Sequence, residues 1–580
     1  MKDRDIRRQR GAALIVLLVI IVLGTSWMVV SALGKAANRT AVQREHNARV
    51  LAEAKAALVA WVATNAFDST ENNPGRLPCP QYWGDVGSSN EGRAGASCIS
   101  SAAPTQPAAG WLPWRSLGLS KLLDASGAQL WYAVSPGWAS RTDAAYLTIN
   151  SISLGQLTVD GQANASVAMI IAPGQALGIS PNSNQVAAGC VARNQSQALN
   201  LPTTAPNPLD FLECQNGSTT DGSFATSVVD NATNPVFNDQ VVTVTAADVL
   251  PALEAAIAKR IERDIVPALS AVYGTATWGT SASSPAFPFP ATFADPTTSP
   301  FQGNTAATQG LVPFNYHSSS CGSDARCSNN AITWGTPSLS SSGGPGYLPL
   351  SPTCTVSGST GYCYGYYYGG TLNISIGDPA TSITTGLRTV DVASHTGSAD
   401  AWRYNGSSWD YLGSQAATVS RSLTSNGAAN FNASVALPSV SDWGYYYIYN
   451  NRPSDSDFGD HAILNSTDST TGWFVRNEWY RFLYYAIAQG YAPGGSLSCV
   501  SGGSGSTGCL QVTNLTDPTK QRAVLVLAGR SLSSLAQTRP SSSLQDYLDS
   551  TENRNGDSIF VQSPVGRSFN DRFISVSKNP

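Results

Sequence analysis

The stretch LWYAV at 130–134 recurs as LYYAI at 483–487, and the stretch GWLPW at 110–114 recurs as GLVPF at 310–314. Three later blocks repeat in the same order: VAMIIAPGQAL from 167 and AVLVLAGRSL from 523, DFLE from 210 and DYLD from 546, and FND from 237 and from 569. Chance does not align five blocks in one order, so the sequence predicts two copies of one domain. The matched apolar runs are short, rich in β-branched residues and bounded by Gly or Pro, which is typical of central strands.

Each copy begins with a helical pattern followed by a proline-rich passage, LPCP at 77–80 and FPFP at 287–290. In the second copy we expect the helix to start near Asp248 as its N-cap and to kink or shorten at Pro267. Its apolar stripe has a residue every four positions: Leu253, Ile257, Ile261, Ile265 and Leu269. A helix beside short antiparallel strands predicts an α+β fold for both copies.

The spacing of the matched blocks differs between the copies. Gly110 and Leu130 are 20 residues apart, whereas Gly310 and Leu483 are 173 apart, so about 150 extra residues lie inside the second copy. We place this insert at 315–470. It is rich in Ser, Gly and Tyr and has no long helical period, which predicts an additional β-rich subdomain.

The N-terminus has the features of a membrane anchor. Five basic residues among the first ten precede an uncharged stretch at 12–33, which is about one bilayer thickness as a helix. The positive-inside rule keeps the basic end cytoplasmic, so we expect the rest of the chain outside the cytoplasm. A secretory signal removed near Gly34 and a plain signal anchor are the alternatives.

The junction RGAALIV at 10–16 is a short basic leader ending in Gly, followed by the apolar start of a long helix. In this it resembles the type IV pilin and type II secretion pseudopilin families. The resemblance implies that a prepilin peptidase cuts between Gly11 and Ala12. Shaft subunits of those families usually carry Glu at the fifth mature position, where Val16 stands here, and the same absence is known in some minor subunits.

The predicted fold is therefore a long N-terminal membrane helix followed by two tandem pilin-like domains, each made of a helix and an antiparallel sheet. The predicted ranges are a leader at 1–11, a transmembrane and extended helix at 12–66, a first pilin-like domain at 67–245 and a second at 246–580, with the β-rich insert inside the second.

Ten cysteines, all after position 78, indicate an oxidising compartment. They fall in close sequential pairs, which suggests that each pair closes its own loop. We expect five disulfides: Cys79 with Cys98, Cys190 with Cys214, Cys321 with Cys327, Cys354 with Cys363, and Cys499 with Cys509.

Composition argues against several functional classes. A net charge of -4, from 34 basic and 38 acidic residues, gives no reason to expect a nucleic-acid partner. Four histidines and no HExxH, P-loop or nucleophile-elbow motif lead us to predict no catalytic site and no enzyme activity. The best acidic cluster, Asp455, Asp457 and Asp460, is a candidate calcium site, with a solvated turn as the alternative.

Dense tyrosine runs mark the insert, GYCYGYYYGG at 361–370 and WGYYYIY at 443–449. Exposed aromatic rings give a large contact area at low entropic cost, so they are candidates for binding a glycan or a surface. The alternative is that these residues only line a sheet. The candidates are Tyr364, Tyr366, Tyr367, Tyr368, Tyr445, Tyr446 and Tyr447.

Together these features lead us to expect a non-enzymatic minor pilin-like subunit at a filament tip, which initiates assembly. Its expected partners are prepilin peptidase, other pilin or pseudopilin subunits and the bacterial inner membrane, where it would sit as a single-pass protein before reaching a filament or the cell surface. A tip adhesin and a membrane-anchored hydrolase are the alternatives.

Overall fold

The computed structural model describes residues 41–100, 103–140, 147–174, 208, 211–217, 221–226, 239–275, 286–297, 301, 307–313, 316–317, 327–328, 333–342, 350–358, 360–382, 388–390, 397–423, 429–451, 458–460, 468–492, 495–503 and 505–578. The chain divides into two compact units. Unit 1 holds Met1–Asn65, Gly75–Leu147 and Ser153–Ala252, and unit 2 holds Ala66–Pro74, Thr148–Ile152 and Leu253–Pro580. Two short segments of the first sequence copy, at 66–74 and 148–152, thus belong to unit 2.

An N-terminal helix, α1, runs from Ala41 to Phe67. By length and composition it is apolar enough to cross a membrane, with a mean hydropathy of 1.3 over its most apolar window, and 33% of that window is buried in the protein. Its buried residues recur at three- and four-residue spacing: Asn47, Val50, Leu51, Ala54, Leu58, Val62 and Ala66. The predicted membrane stretch at 12–33 lies outside the described residues.

Unit 1 is built from short strands. They are β1 Ala108–Trp111, β2 Trp131–Val134, β3 Leu157–Val159, β4 Gln162–Ser166, β5 Ala168–Ala172, β6 Ser223–Phe224 and β7 Gln240–Val244, and a short helix α2, Cys214–Gly217, lies between β5 and β6. Strands β1-β2-β5-β7 form an antiparallel sheet in that order, and β4-β3-β6 form a second, smaller sheet. Every residue of β2 and β5 is buried, because both faces of the larger sheet are covered.

Unit 2 contains the second copy and the insert. Its helices are α3 Ala246–Arg260, whose first residues belong to unit 1, α4 Val266–Thr275 and α5 Gly472–Arg476. Its strands are β8 Gln309–Leu311, β9 Tyr316–His317, β10 Cys327–Ser328, β11 Thr333–Trp334, β12 Ser338–Ser342, β13 Leu350–Ser357, β14 Thr360–Ser382, β15 Arg388–Val390, β16 Gly397–Tyr404, β17 Trp409–Leu423, β18 Ala429–Asn451, β19 Phe458–Asp460, β20 Leu483–Ile487, β21 Gln511–Thr513, β22 Gln521–Leu527, β23 Ile559–Val561 and β24 Arg572–Lys578.

One four-stranded arrangement occurs in both units. The order β1-β2-β5-β7 of unit 1 reappears as β8-β20-β22-β24 in unit 2, and all neighbouring strands are antiparallel. Gly110 lies opposite Tyr132, and Gly310 lies opposite Tyr485, so the first strand pair has the same register. A small parallel pair also repeats, as β3 with β6 and as β21 with β23.

Backbone hydrogen bonds outside the strands repeat as well. One bond closes the first strand pair: Leu112 N donates to Leu130 O at 3.0 Å in unit 1, and Val312 N donates to Leu483 O at 3.2 Å in unit 2. A second bond holds the proline-rich passage, from Leu77 N to Trp138 O at 2.7 Å and from Phe287 N to Tyr491 O at 2.9 Å.

A buried aspartate has the same partner in each unit. Asp239 Oδ2 accepts a hydrogen bond from the Glu213 amide at 2.9 Å, and Asp571 Oδ2 accepts one from the Asp549 amide at 2.9 Å. Each bond joins the acidic block to the Phe-Asn-Asp block. This contact gives a physical reason for both blocks to recur in the sequence, since an unpaired buried carboxylate is costly.

The start of α3 differs from the prediction. The helix begins at Ala246, so Thr245 is the N-cap and Asp248 is the third helical residue. Thr245 N donates to Asp248 Oδ2 at 2.7 Å and Asp248 N donates to Thr245 Oγ1 at 3.3 Å, which is a capping box. The expected break at Pro267 is instead a π-helical turn at Ile261–Ile265, after which α4 continues to Thr275.

The insert is a β structure between β8 and β20. A seven-stranded sheet has the main order β11-β14-β18-β16-β17, with β12 and β13 also paired to β14. Strand β17 pairs with β16 along its first part and with β18 along its second, so β16, β17 and β18 are all paired with one another. The inner face carries an apolar core that includes Leu372, Ile374, Ala433 and Val435.

A candidate binding face of aromatic residues

The tyrosine runs lie on two long paired strands. Tyr364 of β14 is opposite Tyr447 of β18, and Tyr366 is opposite Tyr445. Because side chains alternate between the faces of a strand, every second residue shares the outer face. We name this outer surface the aromatic face; it consists of Tyr362, Tyr364, Tyr366, Tyr368, Trp402, Tyr404, Trp409, Tyr411, Trp443, Tyr445, Tyr447 and Tyr449.

Two of the tyrosines predicted to bind a ligand lie on the opposite face. Tyr367 and Tyr446 are fully buried and belong to the core of the insert. Tyr367 donates its hydroxyl to Pro438 O at 2.8 Å, and burial raises its pKa to about 12. The prediction is wrong for these two residues, because three consecutive residues of a strand cannot share one face.

The rings of the aromatic face touch one another across the strands. Tyr364 and Tyr447 are stacked, with centroids 6.3 Å apart and planes at 18°. The Trp409 ring lies 5.8 Å from Tyr366 and 5.9 Å from Tyr445, so it links the β16–β17 pair to the tyrosine strands. Tyr368 and Trp443 meet edge to face at 5.1 Å at the far end. Such pairs contribute about 0.5–1.5 kcal/mol each beyond area burial and hold the rings in place.

Much of this aromatic surface is open to solvent. The exposed fraction is 49% for Tyr368, 44% for Tyr366 and 41% for Trp409. Tyr411 is exposed to 58%. Single exposed aromatic residues are ordinary, but a contiguous exposed set of this size is typical of an interaction site.

The turn between β16 and β17 positions two of the rings. Asn405 Oδ1 accepts hydrogen bonds from the Ser407 amide at 3.0 Å and the Ser408 amide at 2.8 Å, while Gly406 adopts a φ of 95°. Tyr404 and Trp409 flank this turn and face each other with ring centroids 5.2 Å apart.

One carboxylate lies among the rings. Asp400 of β16 is opposite Tyr447, and its Oδ1 accepts the Tyr411 hydroxyl at 3.0 Å. Desolvation and this carboxylate raise the pKa of Tyr411. Desolvation and then the neighbouring Tyr366 and Tyr364 raise the pKa of Tyr445.

A disulfide fixes the start of the tyrosine strand. Cys354 of β13 lies opposite Cys363 of β14 in the sheet, and the two are bonded with Cα atoms 4.1 Å apart. Cys79–Cys98 and Cys499–Cys509 also form disulfides, as expected from their spacing. Cys190 and Cys321 lie outside the described residues, as do the side chains of Cys214 and Cys327.

The other candidate sites are covered only in part. Asp460 ends β19, whose backbone pairs with β15, while Asp455 and Asp457 lie outside the described residues, as do Gly11 and Ala12. Within the described ranges, no group of three or more His, Cys, Asp or Glu is placed to hold a metal ion. The calcium site therefore stays a prediction.

Sequence reasoning missed seven members of the aromatic face. They are Tyr362, Trp402, Tyr404, Trp409, Tyr411, Trp443 and Tyr449. The alternation in AWRY at 401–404 and in WDY at 409–411 is the signal that could have found four of them.

No family, curated protein or solved structure matches this chain.

Proposed function

We propose that this chain is a minor pilin-like subunit of a type IV pilus or a related secretion filament. It would be anchored in the inner membrane until assembly and then occupy the filament tip. The prepilin-type junction at Gly11 and Ala12 supports this proposal, as does an N-terminal helix followed by a largely antiparallel protein. Val16 at the fifth mature position supports a minor role over a shaft role.

The repeated four-stranded frame is the observation that carries the proposal. A helix with a small antiparallel sheet is the architecture expected of a pilin-like domain, and here the sheet occurs twice in the same order. Two such domains and an insert are bulky for the lateral packing of a shaft, so a tip position suits them better. An unpaired N-terminal ammonium in lipid also disfavours stacking of copies on one another.

The first test is of processing and location. We expect the mature protein to begin at Ala12 and to appear in sheared filaments, with immunogold label at one end. Gly11→Val should block cleavage and keep the chain out of filaments, whereas Gly34→Val serves as the matched control and should be processed normally. A mature terminus near Lys35, or label along the whole shaft, would reject the proposal.

The aromatic face favours a second candidate function, a tip adhesin. Subunits that only build a filament have no need of a broad exposed aromatic surface. Deleting 315–470 should then remove attachment to surfaces while filament number stays unchanged. Loss of both attachment and filaments would assign the insert to assembly, and loss of neither would reject the adhesin role.

A further inference from the structure

The chemistry of the aromatic face limits what it can bind. Among the described residues that alternate onto this face, Asp400 is the only charged one, and none is Lys or Arg. Nucleic acids, polyanionic glycans and anionic membranes all need basic side chains for strong binding. A ligand without formal charge therefore fits this surface best.

We propose that the aromatic face binds a neutral polysaccharide by stacking its pyranose rings on the tyrosine and tryptophan rings. The C–H groups on the face of a sugar ring are slightly positive, and the faces of aromatic rings are slightly negative, so the two attract. The sugar hydroxyls remain at the periphery, where phenol hydroxyls can donate or accept hydrogen bonds and the Asp400 carboxylate can accept them. This inference deepens the adhesin function proposed above and rests on it for its biological meaning.

The side-chain set of the face also argues against a protein partner. The described residues that alternate onto it include no Arg and no Met. Protein interfaces are enriched in Arg and Met beside their aromatic residues, and Arg is common among binding hot spots. A surface made of rings with polar tips suits a ligand that is apolar on its ring faces and polar at its edges.

The size of the face points to a chain of sugars. It spans four neighbouring strands, β14, β18, β16 and β17, which is about 14 Å across at the usual strand spacing. Four alternating positions from Tyr362 to Tyr368 add about 20 Å along the strands. Several sugar rings can therefore stack at once, which adds up weak contacts along one polymer.

The test uses the full-length protein purified in detergent and a panel of immobilised probes. Cellulose, chitin, starch, xylan and mannan represent neutral polysaccharides, and heparin and dextran sulfate represent polyanions. We expect retention on at least one neutral polysaccharide, and none on heparin or dextran sulfate. Retention on a polyanion alone, or on no probe, would overturn the proposal.

Variants locate the binding on the aromatic face. Trp409→Ala and Tyr366→Ala should each weaken retention about tenfold or more, as truncation of an anchoring aromatic side chain does. Tyr366→Phe keeps the ring and should stay within about threefold of the parent, a loss well below that of the truncation. Tyr82→Ala is the matched control, because Tyr82 is 55% exposed in unit 1 and should have no effect. Polysaccharide binding that survives both alanine variants would place the site elsewhere and refute the assignment.

The two proposals fail separately. Polysaccharide retention by the purified protein, combined with normal attachment after deletion of 315–470, would reject the adhesin function and leave the ligand assignment intact. Loss of attachment on deletion, without retention on any neutral polysaccharide, would reject the ligand assignment and leave the adhesin function intact.

Discussion

Unit 1 and unit 2 share a strand order and register, yet their helices bury different side chains. The described buried residues of α1 are apolar except for Asn47, whereas unit 2 buries Glu254, Arg260 and Asp264 on its helix. Backbone pairing and apolar alternation therefore suffice to build the frame. The buried charges on the helix of unit 2 are an addition to it and must be satisfied internally.

Two of the buried charges of unit 2, on Arg260 and Asp264, contact each other and one tryptophan ring. Arg260 Nε donates to Asp264 Oδ2 at 3.2 Å, and its guanidinium lies 4.2 Å from the centroid of the Trp473 ring. Trp473 Nε1 also donates to Asp264 Oδ2, at 3.0 Å. In unit 1 the Lys55–Asp248 pair, at 2.9 Å, leaves each side chain 29% exposed.

The largest difference between the units should come from breaking these pairs. Asp264→Ala leaves the Arg260 guanidinium buried without its carboxylate, so we expect a loss on the order of 3 to 5 kcal/mol in the unfolding free energy of unit 2. Lys55→Ala breaks a pair that is partly open to solvent, and its cost should stay below about 1 kcal/mol. Urea unfolding of a chain purified without residues 1–34 measures both. Equal costs would show that burial does not distinguish the two pairs.

The second difference is pH dependence. Burial raises the pKa of Glu254 from 4.5 to about 7, an effect that the nearby Arg530 only partly offsets. Between these values the folded state keeps a proton that the unfolded state releases, so stability falls as pH rises from about 4.5 to 7 and then levels off. The loss is about 3 kcal/mol for this group.

Urea midpoints between pH 4.5 and 8 test this expectation. Unit 2 should lose stability across the range, and Glu254→Gln should remove most of the slope because the amide does not titrate. Burial also raises the pKa of Asp571, with Asp549 adding to the effect, so a remaining slope of the same sign is expected. An unchanged slope in the Gln variant would contradict the assignment.

The smallest difference concerns two equivalent tyrosines that are both fully buried. Tyr132 donates its hydroxyl to Pro78 O at 3.0 Å, whereas the Tyr485 hydroxyl has no hydrogen-bond partner among the described residues. Tyr132→Phe should therefore cost about 1 kcal/mol, while Tyr485→Phe should be neutral or stabilise by up to about 1 kcal/mol. Each is the control for the other, and a similar loss of stability in both variants would show that the hydrogen bond to Pro78 does not distinguish the two sites.

The four-stranded frame could be predicted from the sequence because short local patterns specify its strands and the same patterns occur twice. Gly110 and Gly310 precede apolar runs of matching pattern, and the 173-residue gap before Leu483 located the insert. The N-cap of α3 was misplaced by three residues, since Thr245 and Asp248 are both good capping residues and only geometry separates their roles.

The aromatic face was only partly predictable. The density of tyrosines in the sequence marked Tyr366, Tyr367 and Tyr368 together, but the alternation of side chains along a strand places Tyr367 in the core of the insert. The contribution of Trp402 and Trp409 depends on β16 pairing with β18, a long-range register that composition does not encode.

The hydrogen bond from Val312 N to Leu483 O bears on how an insert can be added to this chain or removed from it. It closes the two ends between which the insert lies, as the Leu112–Leu130 bond closes a short loop in unit 1. A module whose own termini are adjacent can enter or leave such a point without disturbing the strands on either side. The insert at 315–470 can therefore be exchanged for another recognition module while the four-stranded frame around it stays the same.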